Sequence, residues 1–331
     1  MSRTRIREID VVIEDLSAEG LGIASYGERP VLVRNALPGE WVHGRVLRRR
    51  RGILYAEAMV PERKAPERRD PPCAFYPRCG GCTLQHMAYD AQLDHKQGYL
   101  LQTLHAAGCT PERLRSPVAG PQLHYRYKAR LGVRMVGGAL LAGFREGFSN
   151  RVARMDHCST LAEPFARALG ALQRTVAGFD APDQIPQIEL AGGDTQFAYV
   201  VRHLQALSAM DQARLRDFAR EVQGTVYLQP GGYDTVHVLD PGQTPTGLSY
   251  TNPDFGLYFA FQPTDFTQVN PFVNRQLVRS AVLALDPSPG ESVADLFCGI
   301  GNFSLALARR GALVRGYESV PGAIDRATQN A

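Results

Sequence analysis

Cys73, Cys79 and Cys82 stand within ten residues of one another in the string CAFYPRCGGC, spaced C-x5-C-x2-C. Three thiols at this density form the donor set of a metal or iron–sulfur centre when the surroundings are reducing. The opening residues, MSRTRIREIDVVIEDL, contain no apolar segment of the kind a secretory signal requires. That places the chain in the cytoplasm, where structural disulfides are rare. Tetrahedral zinc and four-iron clusters both usually take four cysteines, so a fourth is sought among Cys109, Cys158 and Cys298. Cys109 ends a helical pattern and Cys298 lies in a glycine turn, whereas Cys158 sits in the polar string DHCSTL just before a helix and is the choice. Gly80 and Gly81 would let main-chain amides approach the sulfurs and offset their negative charge. Spacing alone does not separate zinc from iron and sulfur.

A second chemical string is DLFCGIGNF, residues 295–303, set between an apolar strand and a helix. Its two glycines allow a tight turn and close approach of a cofactor, while the helix N-terminus offers free amides. A dinucleotide fingerprint would need a third glycine where Ser304 stands. Its absence favours S-adenosylmethionine, which brings no pyrophosphate to cradle. Glu318 closes the next strand 19 residues after Gly299, the place from which a carboxylate grips ribose hydroxyls. The alternative is a glycine turn that serves only the fold. The string DFTQVN, residues 265–270, reads by itself as a loop.

Charge is unevenly spread. The net value is +4, yet residues 122–154 hold Arg126, Lys128, Arg130, Arg134, Arg145, Arg151 and Arg154 against the single acid Glu146, a local excess of +6. Tyr125, Tyr127, Phe144 and Phe148 are interleaved, as a phosphate-tracking surface with stacking platforms would require. A solvated sheet face is the alternative. The run Arg48, Arg49, Arg50, Arg51 falls at a strand-to-strand turn, where it would reach phosphate or simply solubilise the loop.

Positioning these groups takes more than one domain, since 331 residues at a loose prior of roughly 150 per domain suggest two or three. No 18-residue apolar run occurs, so no membrane helix is expected. Five short strands within residues 1–60, separated by Gly-, Pro- and Asn-containing turns, suggest a small OB-like β-barrel. Residues 61–72, charged and proline-rich, read as a linker. Residues 73–264 read as an α+β central domain. Its elements are a helix carrying Leu93, Leu100, Leu101 and Leu104, a hairpin at Gly137 and Gly138, and a helix with a Thr160/Glu163 capping box. Strands near residues 197–202, 225–228 and 235–239 surround a further helix at 209–222. From residue 265 a helix with Val273, Leu277, Ala281 and Leu285 inward precedes β-turn-α-β, the opening unit of a Rossmann-like sheet. Only two strands of that sheet fit before Ala331, so the chain is expected to end inside the domain.

Taken in order, the barrel, C-x5-C-x2-C, the later Cys158, DFTQVN, DLFCGIGNF and Glu318 resemble the TRAM-domain, iron–sulfur class of RNA (uracil-C5)-methyltransferases, in particular its bacterial branch acting on 23S ribosomal RNA. The resemblance runs over essentially the whole chain. It implies a [4Fe-4S] cluster on Cys73, Cys79, Cys82 and Cys158. It also implies S-adenosyl-L-methionine contacts from Gln268, Phe297, Asn302 and Glu318, with Gln268 and Phe266 near the target base. The stretch RYKARLGVR then lies on an RNA-facing domain, where Arg126, Lys128 and Arg130 meet large-subunit ribosomal RNA. The helix at about 90–107 is implied to pack on the methyltransferase domain. No membrane and no obligate protein partner is expected.

Uracil C5 is a weak nucleophile, so its methylation needs a thiolate to add at C6 and a base to remove the C5 proton. The nucleotide must also leave its stack. In the family that this chain resembles, both catalytic groups follow a later motif, so none of the six cysteines is assigned as nucleophile. Cys298, though near the cofactor loop, is not used that way there. The expectation is a truncated and inactive methyltransferase chain. The alternative is a non-catalytic RNA-binding iron–sulfur protein with a vestigial methyltransferase segment.

Overall fold

Apolar and polar residues alternate along β1 (Glu8–Val12), so that Ile9 and Val11 turn inward. The same period builds β2 (Asp15–Leu16), β3 (Gly22–Tyr26), β4 (Arg29–Arg34), β5 (Trp41–Arg50) and β6 (Ile53–Ala58). In this computed structural model the described residues are 7–59, 61, 63–240 and 247–331. Residues 1–6 and 60 of the expected barrel and Glu62 of the expected linker lie outside them. The strands form one curled, barrel-like sheet in the order β1-β5-β6-β4-β3-β2, antiparallel except for β4 beside β6. Ile9, Val31, Val33, Val42, Leu54 and Ala56 fill its interior. Arg51 and Gly52 both take left-handed backbone at the β5–β6 turn, the geometry that suits a two-residue hairpin.

The chain divides into two compact units whose limits differ from the expected spans. The first runs through Pro117 and adds Phe144–Arg154; the second is Val118–Gly143 with Met155–Ala331. Of residues 61–72, expected to be a linker, residues 63–72 instead form a strap within the first unit. Ala65 is buried, and the Arg68 guanidinium donates to both oxygens of the fully buried Glu40, through Nη2 at 2.7 Å and through Nε. Burial alone would raise the Glu40 pKa, but Arg68 and the Ala65 and Leu37 amides outweigh it and hold the carboxyl below the usual range. A charge-rich segment is ordered here by pairing, which an apolar count cannot detect. The helix α1 (Tyr89–Ala106) forms as expected and is followed by left-handed Gly108. None of its residues is buried, and Leu100 is 52% exposed.

The second unit opens with β7 (Lys128–Val136) and β8 (Ala139–Gly143), joined by left-handed Gly137 and Gly138. Then follow α2 (Glu163–Ala177), β9 (Gln187–Gly192), β10 (Phe197–Arg202), α3 (Ala209–Val222), β11 (Thr225–Gln229) and β12 (His237–Val238). Their sheet has the order β12-β11-β10-β9-β7-β8. The expected capping box is absent: the N-cap of α2 is Ala162, with no side-chain cap. Pro164 stands in its first turn instead, and Thr160 Oγ1 lies 3.4 Å from Cys158 Sγ. A hairpin of β13 (Leu248–Asn252) and β14 (Leu257–Phe261) leads to α4 (Pro271–Leu285), parallel β15 (Ser292–Leu296) and β16 (Leu313–Tyr317), and the helices α5 (Ser304–Ala308) and α6 (Pro321–Asn330). The buried row of α4 is Asn274, Val278 and Val282, not the expected Val273, Leu277, Ala281 and Leu285; Leu277 and Leu285 are exposed. A polar residue in the inward row misleads a search for apolar periodicity. Ala198 and Val200 of the sheet share one core with Phe259, Val278, Val282, Ile300 and Leu307, so packing continues across the expected boundary at 264/265.

Candidate functional site

The parallel pair β15/β16 aims its C-terminal ends at the glycine turn. Cys298 N donates to Tyr317 O at 3.0 Å, and Gly299 and Gly301 adopt φ of +55° and +92°. These angles favour glycine, so the turn reverses within four residues and delivers the chain to α5. Asp295, at the end of β15, accepts from Ser304 Oγ at 2.6 Å and braces the turn across its mouth. Phe297 has φ +65° and a ring 85% exposed. A bulky side chain in left-handed backbone costs about 1–3 kcal/mol, and such strain gathers at functional sites.

Glu318 follows β16. Its Oε2 accepts from Gly299 N at 3.1 Å, and its Oε1 accepts from Ser319 N, Ser319 Oγ and Val320 N. The Val320 amide above all, with those of Ser319 and Gly299, holds the carboxyl below the ordinary carboxylate range. A carboxylate has about four lone-pair positions, so Oε2 retains capacity for one more donor. Burial foremost, with Asp295 and Glu318 nearby, pushes the Cys298 thiol up, and the thiolate is disfavoured.

Asn302 sits in the same turn, but its side chain is largely engaged. Its Oδ1 accepts from Tyr250 OH at 3.0 Å and Asn274 Nδ2 at 2.9 Å, while its Nδ2 donates to Asn274 Oδ1 at 3.0 Å. This amide pair fastens the turn to α4. Asn274 and Tyr250 were not foreseen, because partners 28 and 52 positions distant leave no local signal.

Residues 262–270 form a loop with Phe266 77% exposed and Gln268 also exposed. Asp265 is buried, accepts from Gln262 N at 2.7 Å, and pairs with Arg326 of α6. Lys128 Nζ donates to the carbonyls of Pro263, at 3.0 Å, and Asp265. Tyr127 N donates to Val269 O at 2.8 Å. Lys128, expected to meet phosphate, is instead the residue that holds the loop presenting Phe266 and Gln268. Burial lowers its pKa, partly offset by Glu189 and Asp265. Arg130 donates through Nε to Glu189 Oε1 at 3.0 Å, so its charge is met within the sheet. Arg126 is half-buried, and its main chain is bridged to residues 160–162.

Cys73, Cys79 and Cys82 belong to the first unit and Cys158 to the second. Cys79 and Cys158 are buried; Cys73 and Cys82 are intermediate. Gly81 N donates to Cys79 Sγ at 3.5 Å, as expected of an amide facing sulfur, whereas Gly80 N is taken by Arg145 O at 2.8 Å. Among the described residues no three His, Cys, Asp or Glu side chains are grouped to hold a metal ion. Among the described residues no helix is long and apolar enough to cross a membrane.

Residues 2–59 match the TRAM domain family, and residues 253–331 match the tRNA (Uracil-5-)-methyltransferase family. The chain is 44% identical over 324 residues to a 23S rRNA (uracil(1939)-C(5))-methyltransferase RlmD from Aromatoleum aromaticum, covering 97% of this chain and 74% of that protein. It is 42% identical to the RlmD of Alkalilimnicola ehrlichii, covering 97% and 73%. The crystal structure of Pyrococcus abyssi tRNA (uracil-54, C5)-methyltransferase in complex with S-adenosyl-L-homocysteine has the same fold, with a TM-score of 0.71 at 22% identity, covering 97% of this chain and 75% of that one. Identity of this extent over nearly the whole chain, together with the glycine turn and its carboxylate, shows that the chain belongs to the TRAM-domain RNA (uracil-C5)-methyltransferase family.

Proposed function

We propose that the protein serves the transfer of a methyl group from S-adenosyl-L-methionine to C5 of a uracil in 23S ribosomal RNA. The observation that carries this is the left-handed glycine turn whose Gly299 amide is held by the Glu318 carboxylate, on a chain 44% identical to an enzyme named for that reaction. S-adenosylmethionine supplies an electrophilic methyl. Phe297 would offer the cofactor an exposed ring, Glu318 a lone pair for a ribose hydroxyl, and Gln268 and Phe266 an exposed edge for cofactor and base. Asn302 contributes through the turn that it locks, with one amide hydrogen left to donate. Arg126, at the approach to β7, is proposed as an RNA contact from its place in the basic segment. Cys298, buried and protonated, is not the nucleophile.

The proposal includes a [4Fe-4S] cluster on Cys73, Cys79, Cys82 and Cys158. Its support is the C-x5-C-x2-C spacing and the Gly81 amide turned to sulfur. With no such grouping among the described side chains, no step of the reaction is assigned to it.

Calorimetric titration with S-adenosylhomocysteine tests the donor site. Glu318→Gln should weaken binding about tenfold, the loss of one hydrogen bond to a charged group. With none of the six cysteines assigned as nucleophile, the acceptor is tested by binding: a 23S ribosomal RNA fragment should bind the complex with S-adenosylhomocysteine. A wild-type protein that binds neither S-adenosylhomocysteine nor the RNA fragment would overturn the proposal.

A further inference from the structure

A side-chain amide has two acceptor positions on its oxygen and two hydrogens on its nitrogen. At Asn302 most of this capacity is already taken. The Tyr250 hydroxyl donates to its Oδ1 at 3.0 Å and Asn274 Nδ2 donates to the same oxygen at 2.9 Å, while Asn302 Nδ2 donates back to Asn274 Oδ1 at 3.0 Å. The oxygen is therefore full, and what Asn302 can still offer a ligand is one N–H. By itself an asparagine amide rotates broadly about its last torsion, so this orientation is imposed from outside the glycine turn.

Both residues that impose it are themselves firmly seated. Tyr250 stands on β13 directly opposite Phe259 of β14, and the two rings stack at 4.8 Å with 14° between their planes. Phe259 is fully buried, which leaves the tyrosine ring little room to turn. Burial above all, then the Asp194 charge, pushes the Tyr250 pKa up, so its hydroxyl keeps the proton that it donates. Asn274 is buried in the inward row of α4 that continues through Val278 and Val282. Its main-chain amide donates to Asn270 O at 3.0 Å, and Asn270 caps the helix by accepting from Val273 N at 3.1 Å. Asn270 also ends the loop that presents Gln268, so a single helical turn sets both that loop and the Asn302 amide.

We infer that Tyr250 and Asn274 are positioning residues for the methyl donor: by filling the oxygen of Asn302 they make its amide a donor-only contact, which takes an acceptor atom of S-adenosylmethionine and turns away a donor. This deepens the proposed function and rests on Asn302 touching that molecule. An N–H oriented before the ligand arrives loses little side-chain freedom on binding. A ligand presenting its own donor there would leave two hydrogens facing each other, with no amide oxygen free to replace one of them.

The test is a double-mutant cycle read by calorimetric titration with S-adenosylhomocysteine. Tyr250→Phe removes the hydroxyl and keeps the stacked ring, and should weaken binding about fivefold, the worth of one neutral hydrogen bond. Asn274→Ala removes two such bonds and should weaken it about 30-fold. In protein already carrying Asn302→Ala, Tyr250→Phe should cause no further loss, because its effect passes through the amide. A tyrosine that served only the fold would cost the same factor in either background. Equal losses in the two backgrounds, or no loss from Tyr250→Phe alone, therefore overturn the inference. Should Asn274→Ala fail to fold, the Tyr250 cycle still decides. Adenosine titrated alongside locates the acceptor: a loss from Tyr250→Phe with both ligands puts it on the nucleoside, and a loss with S-adenosylhomocysteine alone puts it on the amino-acid end, either of which upholds the inference. Wild-type protein without affinity for S-adenosylhomocysteine would remove the donor site from the proposed function and overturn the inference with it, whereas unchanged affinity in Tyr250→Phe overturns the inference alone.

Discussion

Replacing Lys128 by Met should weaken S-adenosylhomocysteine binding by roughly 30-fold with little change in RNA salt dependence. The ammonium donates to Pro263 O at 3.0 Å and to Asp265 O, and through them it fixes the loop bearing Phe266 and Gln268. Hydrogen bonds from charged groups are worth about 1.5–3 kcal/mol each, so the two together reach about 3–6 kcal/mol. Methionine no longer carries a charge to desolvate, and burial already works against the lysine, which lowers its pKa. The net cost to an ordered loop is then about 2 kcal/mol, or roughly 30-fold in affinity where the loop must be ordered for the cofactor to bind. The assay is calorimetric titration with S-adenosylhomocysteine, alongside thermal melting of the same variant. Arg326 and Tyr127 N still hold the loop from two other directions, so the melting temperature should change little. Unchanged cofactor affinity in a folded variant would show that the loop is ordered without Lys128 and would refute the clamp.

Two further outcomes follow from the first unit. His86 is fully buried, against Tyr76 OH and 3.4 Å from Ala36 O; burial first, then the Arg68 charge, lower its pKa from 6.5 to about 4. Its folded-state value lies below its unfolded value, so stability is complete above pH 6.5 and declines as pH falls towards 4. The loss is about 3 kcal/mol at most, and a His86→Gln variant should melt with a shallower pH dependence over that window. An equally steep decline in the variant would assign the effect elsewhere. Cys79→Ser should abolish iron incorporation if the four cysteines hold a cluster, and metal analysis of anaerobically purified protein reads this directly. Undiminished iron would remove Cys79 from the ligand set.

Local pattern in the chain foretold much of the fold. Helix α3 and strand β10 occupy the residues expected of them, and the Gly137–Gly138 hairpin and the β15-turn-α5-β16 unit stand where turn chemistry and apolar runs put them. What failed had a common cause, polar residues whose partners lie far along the chain. Arg68 turns residues 63–72 into a strap because Glu40 waits for it inside the barrel. Asn274 moves the inward face of α4 because Asn302 pairs with it. Lys128 reads as a phosphate contact until the carbonyls 135 and 137 positions later are seen to claim it. The cofactor motif was legible because a strand, two glycines and a helix are contiguous. The arginine run is plain in the sequence, but the Phe148 ring that Arg48 faces lies about a hundred residues away.

The shared core of the second unit carries a mechanical consequence. Val200 of the six-stranded sheet and Ile300 of the glycine turn belong to the same buried set, so a fluctuation that uncovers one uncovers the other. The methyl-donor turn is therefore no free-standing loop awaiting its ligand; it inherits the stiffness of strands completed a hundred residues earlier, and melts only when they do.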